Sequence, residues 1–153
     1  MRVCIGGTFN RLHKGHKKLI ENAIELAGKN GFLFIGIYNG PLLKNKPYVE
    51  PFQKRRDLLL SHLHSLEKKN NLPTVVIEPI KTVEGPTLTL NFDIIVVSPE
   101  TKRNAEKINQ KREQRGLKPM QIFTIPLILA EDKQKISSTR IVNNEIDDEG
   151  NLL

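Results

Sequence analysis

Apolar and polar positions fall along this chain in blocks of two different periods. Val3-Cys4-Ile5 is a short apolar run closed by Gly6 and Gly7, the form of a buried strand. From Lys17 the period changes: Leu19, Ile20, Ala23, Ile24 and Ala27 recur at helical spacing, and Gly28 and Gly31 supply stop signals. Phe32–Tyr38 reads as a second strand, followed by the polar, basic loop "NGPLLKNKP". Pro51 opens a helix at a tolerated first-turn position, with Leu59, Leu63 and Leu66 on its buried face. Thr74–Ile80 predicts a third strand and residues 93–97 a fourth, with a Gly85-Pro86 break between them. "SPETKRNAEKINQKREQRG" predicts a helix with Ala105 and Ile108 inward, its basic residues outward, and Gly116 as its stop. Residues 121–129 read as a fifth strand interrupted by Pro126, and "KISSTRIV" as a loop entering a helix through a hydroxyl cap.

Strands alternating with helices imply an α/β architecture: a parallel sheet with helices on both faces. Residues 1–153 suit a single domain, without internal repeat, low-complexity segment or linker. In such sheets ligands bind beyond the carboxyl ends of the strands, and the glycine-rich stretch after the first strand falls at one.

Composition narrows the ligand. The formal charge of +7 and a pI near 9.6 favour an anionic partner: a nucleotide, a phosphorylated metabolite or nucleic acid. With no Trp and few aromatics, stacking platforms for single-stranded nucleic acid are sparse. The lone cysteine, Cys4, excludes an intramolecular disulfide framework and a Cys-rich zinc site, and its place in the first apolar run marks a buried, inert thiol. No apolar stretch is long enough to span a membrane and no signal-peptide pattern opens the sequence, so a cytoplasmic location is expected.

The candidate chemistry lies in "GGTFNRLHKGH", residues 6–16. Gly6 and Gly7 allow a sharp turn and a close approach of backbone to ligand, and Gly15 does the same at the helix entrance. The first-turn amides of that helix then face an anion. His13 and His16, three apart across the turn, can aim both rings at one phosphate group. Two histidines at this spacing also suit a metal, though no third ligand accompanies them locally, or an ordinary surface. The stretch is neither the Walker phosphate loop nor the dinucleotide fingerprint.

"HKGH" at 13–16 resembles the HxGH motif of the nucleotidyltransferase superfamily, and "ISSTR" at 136–140 resembles its second signature, a Ser/Thr-rich turn. "VSPETKRNAEKINQKREQRGLKP", "LAEDKQKISSTRI" and "EIDDEGNLL" are similar to archaeal-type phosphopantetheine adenylyltransferases, over essentially the whole chain. The resemblance implies a Rossmann-like fold with a five-stranded parallel sheet, its first strand central. It implies transfer of an adenylyl group from ATP to 4′-phosphopantetheine, giving dephospho-coenzyme A and pyrophosphate, with Mg²⁺ accompanying the triphosphate. The acceptor's own phosphate attacks in line, so the site needs positive charge and hydrogen-bond donors rather than a protein nucleophile.

Carried onto this sequence, the resemblance gives His16 the α-phosphate and His13 the leaving β,γ-phosphates, with Gly7 and Gly15 lining the ATP site. Thr8 holds the attacking phosphate, and Phe9 lies with it on the phosphopantetheine side. One of Lys44 and Lys46 clamps the reacting phosphates. Ser137, Ser138 and Thr139 offer hydroxyls and a helix start to the triphosphate, and Arg140 adds charge. Taken alone, the two lysines are solvated charges and the three hydroxyl residues a helix cap. Glu100, Lys102 and Arg103 stand near the same rim, while His62 and His64 read as surface residues. Two departures stand out: Asn10 replaces the Asp of the relatives' "GGTFD", and "YNGPLLK" at 38–44 differs from their "TSDE". Asn keeps the backbone-bonding capacity of Asp and loses its charge. The rivals are a flavin adenylyltransferase, a cytidylyltransferase and a basic RNA-binding module; the last leaves both phosphate motifs without a purpose.

Overall fold

The computed structural model describes every residue except Asn70. Five parallel strands make one sheet in the order β3-β2-β1-β4-β5: β1 (Arg2–Gly7), β2 (Phe32–Tyr38), β3 (Thr74–Ile80), β4 (Ile94–Val97) and β5 (Gln121–Thr124). β1 is therefore central, as expected. The chain moves outward from β1 to β3, then returns to β4 on the other side of β1. The topological switch thus lies between β1 and β4, where ligands of open α/β sheets collect.

Alternation along the strands divides the core into two layers. Val3, Ile5, Leu33, Ile35, Ile94 and Val96 face one side, where α1 (Lys14–Ala27) and α2 (Phe52–Glu67) cover them with Ile20, Ala23, Ile24, Leu59 and Leu63. Cys4, Phe34, Ile95 and Val97 face the other, against Ala105 and Ile108 of α3 (Lys102–Gln114). A sheet buried on both faces needs near-continuous apolar strands, which is how β1, β2 and β4 read. Cys4 is buried as expected, and burial pushes its thiol up to about 12.

Three expectations need correction. The helix after the first strand begins at Lys14, ahead of the apolar period, because His13 caps it. The fifth strand ends at Thr124: Ile125 still donates to the Val97 carbonyl, but Pro126 has no N–H with which to continue. The chain then turns back on itself through a Leu129–Lys135 bridge. The basic residues of α3 are not all outward either. Arg112 is 1% exposed, and its guanidinium donates to the carbonyls of Thr87, Leu90 and Lys118. Beyond β5, Ala130 and Ile136 pack with Ile146, and Ser137 caps the short helix α4 (Ser138–Val142).

Candidate active site

Gly6 and Gly7 are extended strand residues in register with Gly36 and Ile37. They do not make the turn. That falls to Phe9 and Arg11, two non-glycine residues in the left-handed region at φ 52° and 51°. A fully buried Phe in that conformation is costly, of order 1–3 kcal/mol, and such strain clusters at functional sites. Its ring packs on His16, with centroids 5.3 Å apart.

His13 and His16 cap the helix for each other. Nδ1 of His13 accepts the N–H of Gly15 at 3.0 Å and of His16 at 3.4 Å, while Nδ1 of His16 accepts the N–H of His13 at 3.3 Å. The rings stack with centroids 3.7 Å apart. This is a capping box built from two imidazoles. Because both Nδ1 atoms accept, the proton of each neutral ring sits on Nε2. Burial holds both rings neutral. It lowers His13 to about 4, against an opposing pull from Asp148, and takes His16 well below its ordinary value, helped by His13 and Lys46. Gly15 is required by this stack, since a Cβ there would stand 2.9 Å from Cε1 of His13.

Around this box lies a cleft with two halves. The first, about 230 Å³, is lined by Gly7, His13, Gly15 and His16 on one side and by Lys135, Ser137 and Ser138 on the other. The second, about 300 Å³, runs from Thr8 and Lys46 across Tyr38, Leu42, Ile80 and Ala105. Gly6, Gly7, Val96, Val97 and Thr101 line both halves, so the cleft straddles the β1–β4 switch point.

The structure places the two lysines differently. Lys46 donates from Nζ to Oγ1 of Thr8 at 2.9 Å and lines the second half, whereas Lys44 lines neither. Burial lowers the Lys46 ammonium below its usual range, and Arg55 adds to the effect. Ser137 accepts the N–H of Arg140 and keeps its own hydroxyl proton, while Ser138 donates to the carbonyl of Asn10. Thr139 and Arg140 do not line the cleft. Arg140 is bound to Asp132, to Glu145 and to the carbonyl of Lys135, and so holds the loop that carries the serines. Lys135 pairs with Glu100 at 2.8 Å across the first half, while Lys102 and Arg103 are exposed on α3 and line neither half. His62 is half-buried rather than superficial, and burial lowers its imidazole. Among the described residues no three His, Cys, Asp or Glu side chains gather as a metal site.

Two residues that the sequence reading passed over or underweighted hold the floor of the site. Asn10 is buried, donating through Nδ2 to the carbonyl of Tyr48 and accepting through Oδ1 from the N–H of Glu50. Arg55 is 1% exposed and donates to the carbonyls of Thr8, Tyr38 and Glu50 and to Oδ1 of Asn39. "QKRRD" gives no sign that one of its three basic residues turns inward.

The parallel sheet, the switch-point cleft and the paired histidines define a nucleotidyltransferase. Residues 4–144 match the family model described as cytidylyltransferase-like. The phosphopantetheine adenylyltransferase of Methanosarcina mazei is 42% identical over 99% of this chain and 96% of its own. That of Archaeoglobus fulgidus is 40% identical over the full length of both. A solved Archaeoglobus fulgidus protein, described as of unknown function, superposes with a TM-score of 0.69 at 34% identity, over 90% of this chain and all of that one. The chain belongs to the phosphopantetheine adenylyltransferases of the cytidylyltransferase-like family.

Proposed function

We propose that this protein transfers the adenylyl group of ATP to 4′-phosphopantetheine, releasing dephospho-coenzyme A and pyrophosphate. The observation that carries the reading is the two-part cleft with a shared wall: a histidine-and-serine half beside a lysine-and-threonine half over apolar surface. The first half suits a triphosphate. The second suits a phosphate with a long, mostly uncharged arm, laid along Tyr38, Leu42, Ile80 and Ala105.

In this reading a phosphate oxygen of the acceptor forms a bond to the α-phosphorus of ATP as the bond to the β-phosphate oxygen breaks. Thr8 and Lys46 hold the attacking phosphate. His16 donates from Nε2 to the α-phosphate as negative charge builds on its oxygens, and His13 donates to the departing pyrophosphate. Neutral imidazoles suit this task, because their donors are fixed in direction before the reaction and need no reorganisation during it. Ser137 has a free hydroxyl proton for the same anion. No residue is needed as a nucleophile.

Mg²⁺ fits the site through the nucleotide rather than through the protein. Glu100 is the one carboxylate among the residues lining the first half. The ion would be held by phosphate oxygens and water, where it neutralises the triphosphate. Mass spectrometry of the product formed from ATP, Mg²⁺ and phosphopantetheine, run beside flavin mononucleotide and CTP, tests the reading. Dephospho-coenzyme A is expected, and product only from either alternative substrate overturns it.

A further inference from the structure

Arg55 is buried on α2, and among the described residues no carboxylate lies within ion-pair distance of its guanidinium. Glu50 offers Arg55 its backbone carbonyl and spends its carboxylate on Arg11 and Lys54, while Asp57 pairs with Arg56. Burying a cation on neutral oxygens alone is expensive. Arg112 does the same away from the cleft, and what sets Arg55 apart is that it shares Thr8 with a second cation, Lys46. The four bonds Arg55 makes are not scattered. Two go to the exit of β2, at the Tyr38 carbonyl (2.8 Å) and Asn39 Oδ1 (3.1 Å). One goes to the Glu50 carbonyl at 2.8 Å, and one to the Thr8 carbonyl at 3.0 Å, one residue before the left-handed Phe9. Lys46, on Thr8, lies close enough for Arg55 to disfavour its charge.

These contacts set Lys46 on the wall of the second half of the cleft and Arg55 behind it, and among the described residues no carboxylate pairs with either. The arrangement is costly when empty and favourable once an anion lies on Thr8. We propose that Arg55 is a positioning residue for the acceptor phosphate: it fixes the Thr8 carbonyl against the β2 exit and leaves an uncompensated positive charge behind the Thr8–Lys46 pair. The ligand chemistry it serves is a phosphate monoester. It does not serve the triphosphate, which lies with His13 and His16 on the other side of Gly6 and Gly7. The proposal rests on the assignment of the second half to phosphopantetheine.

The test compares wild type, Arg55→Lys and Arg55→Gln. Phosphopantetheine affinity is measured by calorimetry without ATP, and KM for each substrate, kcat and the pH profile of kcat/KM by turnover. Arg55→Gln is expected to weaken phosphopantetheine binding at least tenfold and to leave KM for ATP within about twofold. Its alkaline limb should move to higher pH, because Lys46 regains its proton affinity once the neighbouring charge is gone. Arg55→Lys, which keeps the charge and loses the fork, should lose three- to tenfold in phosphopantetheine affinity with the alkaline limb in place. Should Arg55→Gln fail to fold, Arg55→Lys carries the test by the same ratio of the two substrates. Equal changes for both substrates, or no change, in a folded variant overturn the role of Arg55 while wild-type binding and turnover stand. A wild type that does not bind phosphopantetheine overturns the functional reading and this proposal together. A wild type that binds it but transfers no adenylyl group overturns the reading alone, and calorimetry still decides Arg55.

Discussion

The side-chain oxygen of Asn10 accepts the backbone N–H of Glu50 at 2.9 Å while its amide nitrogen donates to the carbonyl of Tyr48 at the same distance. One side chain thus clips the turn after β1 to the loop that delivers Lys46, using a donor and an acceptor at once. A carboxylate supplies only acceptors.

Asn10→Asp should therefore destabilise the protein, since an acceptor would face the Tyr48 carbonyl. A lost donor at a buried site costs about 1–3 kcal/mol, which for a chain of this size lowers the thermal midpoint by several degrees. Turnover should fall or stay level. Calorimetric unfolding and kcat are the measurements, and a midpoint equal to wild type with faster turnover contradicts the clip.

The two histidines should separate kinetically. His16→Ala is expected to lower kcat on the order of a hundred- to a thousandfold with little change in ATP binding, because its bond strengthens only as charge develops. His13→Ala should weaken ATP binding and also lose a helix cap, about 1 kcal/mol. His13→Asn keeps a good cap and removes Nε2, so it should restore the midpoint but not the ATP affinity. Recovery of both together would make His13 purely structural.

The histidines also make stability pH-dependent. His13 stands at about 4 in the fold against an ordinary 6.5, so the folded state prefers it neutral. Its contribution is complete above pH 6.5 and is lost as the pH falls towards about 4. The full loss is on the order of 3 kcal/mol. Thermal midpoints of wild type and His13→Asn, close to each other at neutral pH, should separate across this window as the pH drops, with wild type falling further. Parallel curves would show that the ring is not held neutral by burial.

Gly15→Ala sets helix propensity against the site. Alanine is favoured over glycine in a helix by up to about 1 kcal/mol, yet its Cβ would meet the His13 ring at 2.9 Å. The variant should change its midpoint little, since the propensity gain is offset by a weakened His13 cap, and lose at least about tenfold in kcat/KM, about 1.4 kcal/mol of barrier. Unchanged kinetics would mean that the stacked rings can shift without cost.

Lys46→Met should raise KM for phosphopantetheine by more than about tenfold, roughly 1.4 kcal/mol, and Lys44→Met by far less. Of the two lysines, Lys46 is the one that reaches Thr8. Equal effects would show that the two ammonium groups exchange places.

The architecture was legible because burial on both faces writes itself as apolar runs. β2 and β3 have the bounds that their residues predict, and the fold class follows from the alternation. The histidine loop was legible from residue types. What escaped detection is polar groups that turn inward. In a chain with 24 Lys and Arg, nothing local marks Arg55 and Arg112 off from solvated neighbours, since their partners are carbonyls far away in sequence. The start of α1 was missed because histidine is an unusual cap. The turn was credited to Gly6 and Gly7 because strain at Phe9 and Arg11 is imposed by tertiary packing, not by propensity.

Ser138 donates to the carbonyl of Asn10 across 128 positions of sequence. A chain emerging from the ribosome has the histidine loop first and the serine wall of the same cleft only after 128 further positions have followed Asn10. Until that contact closes, a nascent chain presents a strained turn with half a site. Contacts of such long span are slow to find, because loop-closure entropy must be overcome first. The two walls of the cleft therefore come together in one step with the docking of α4.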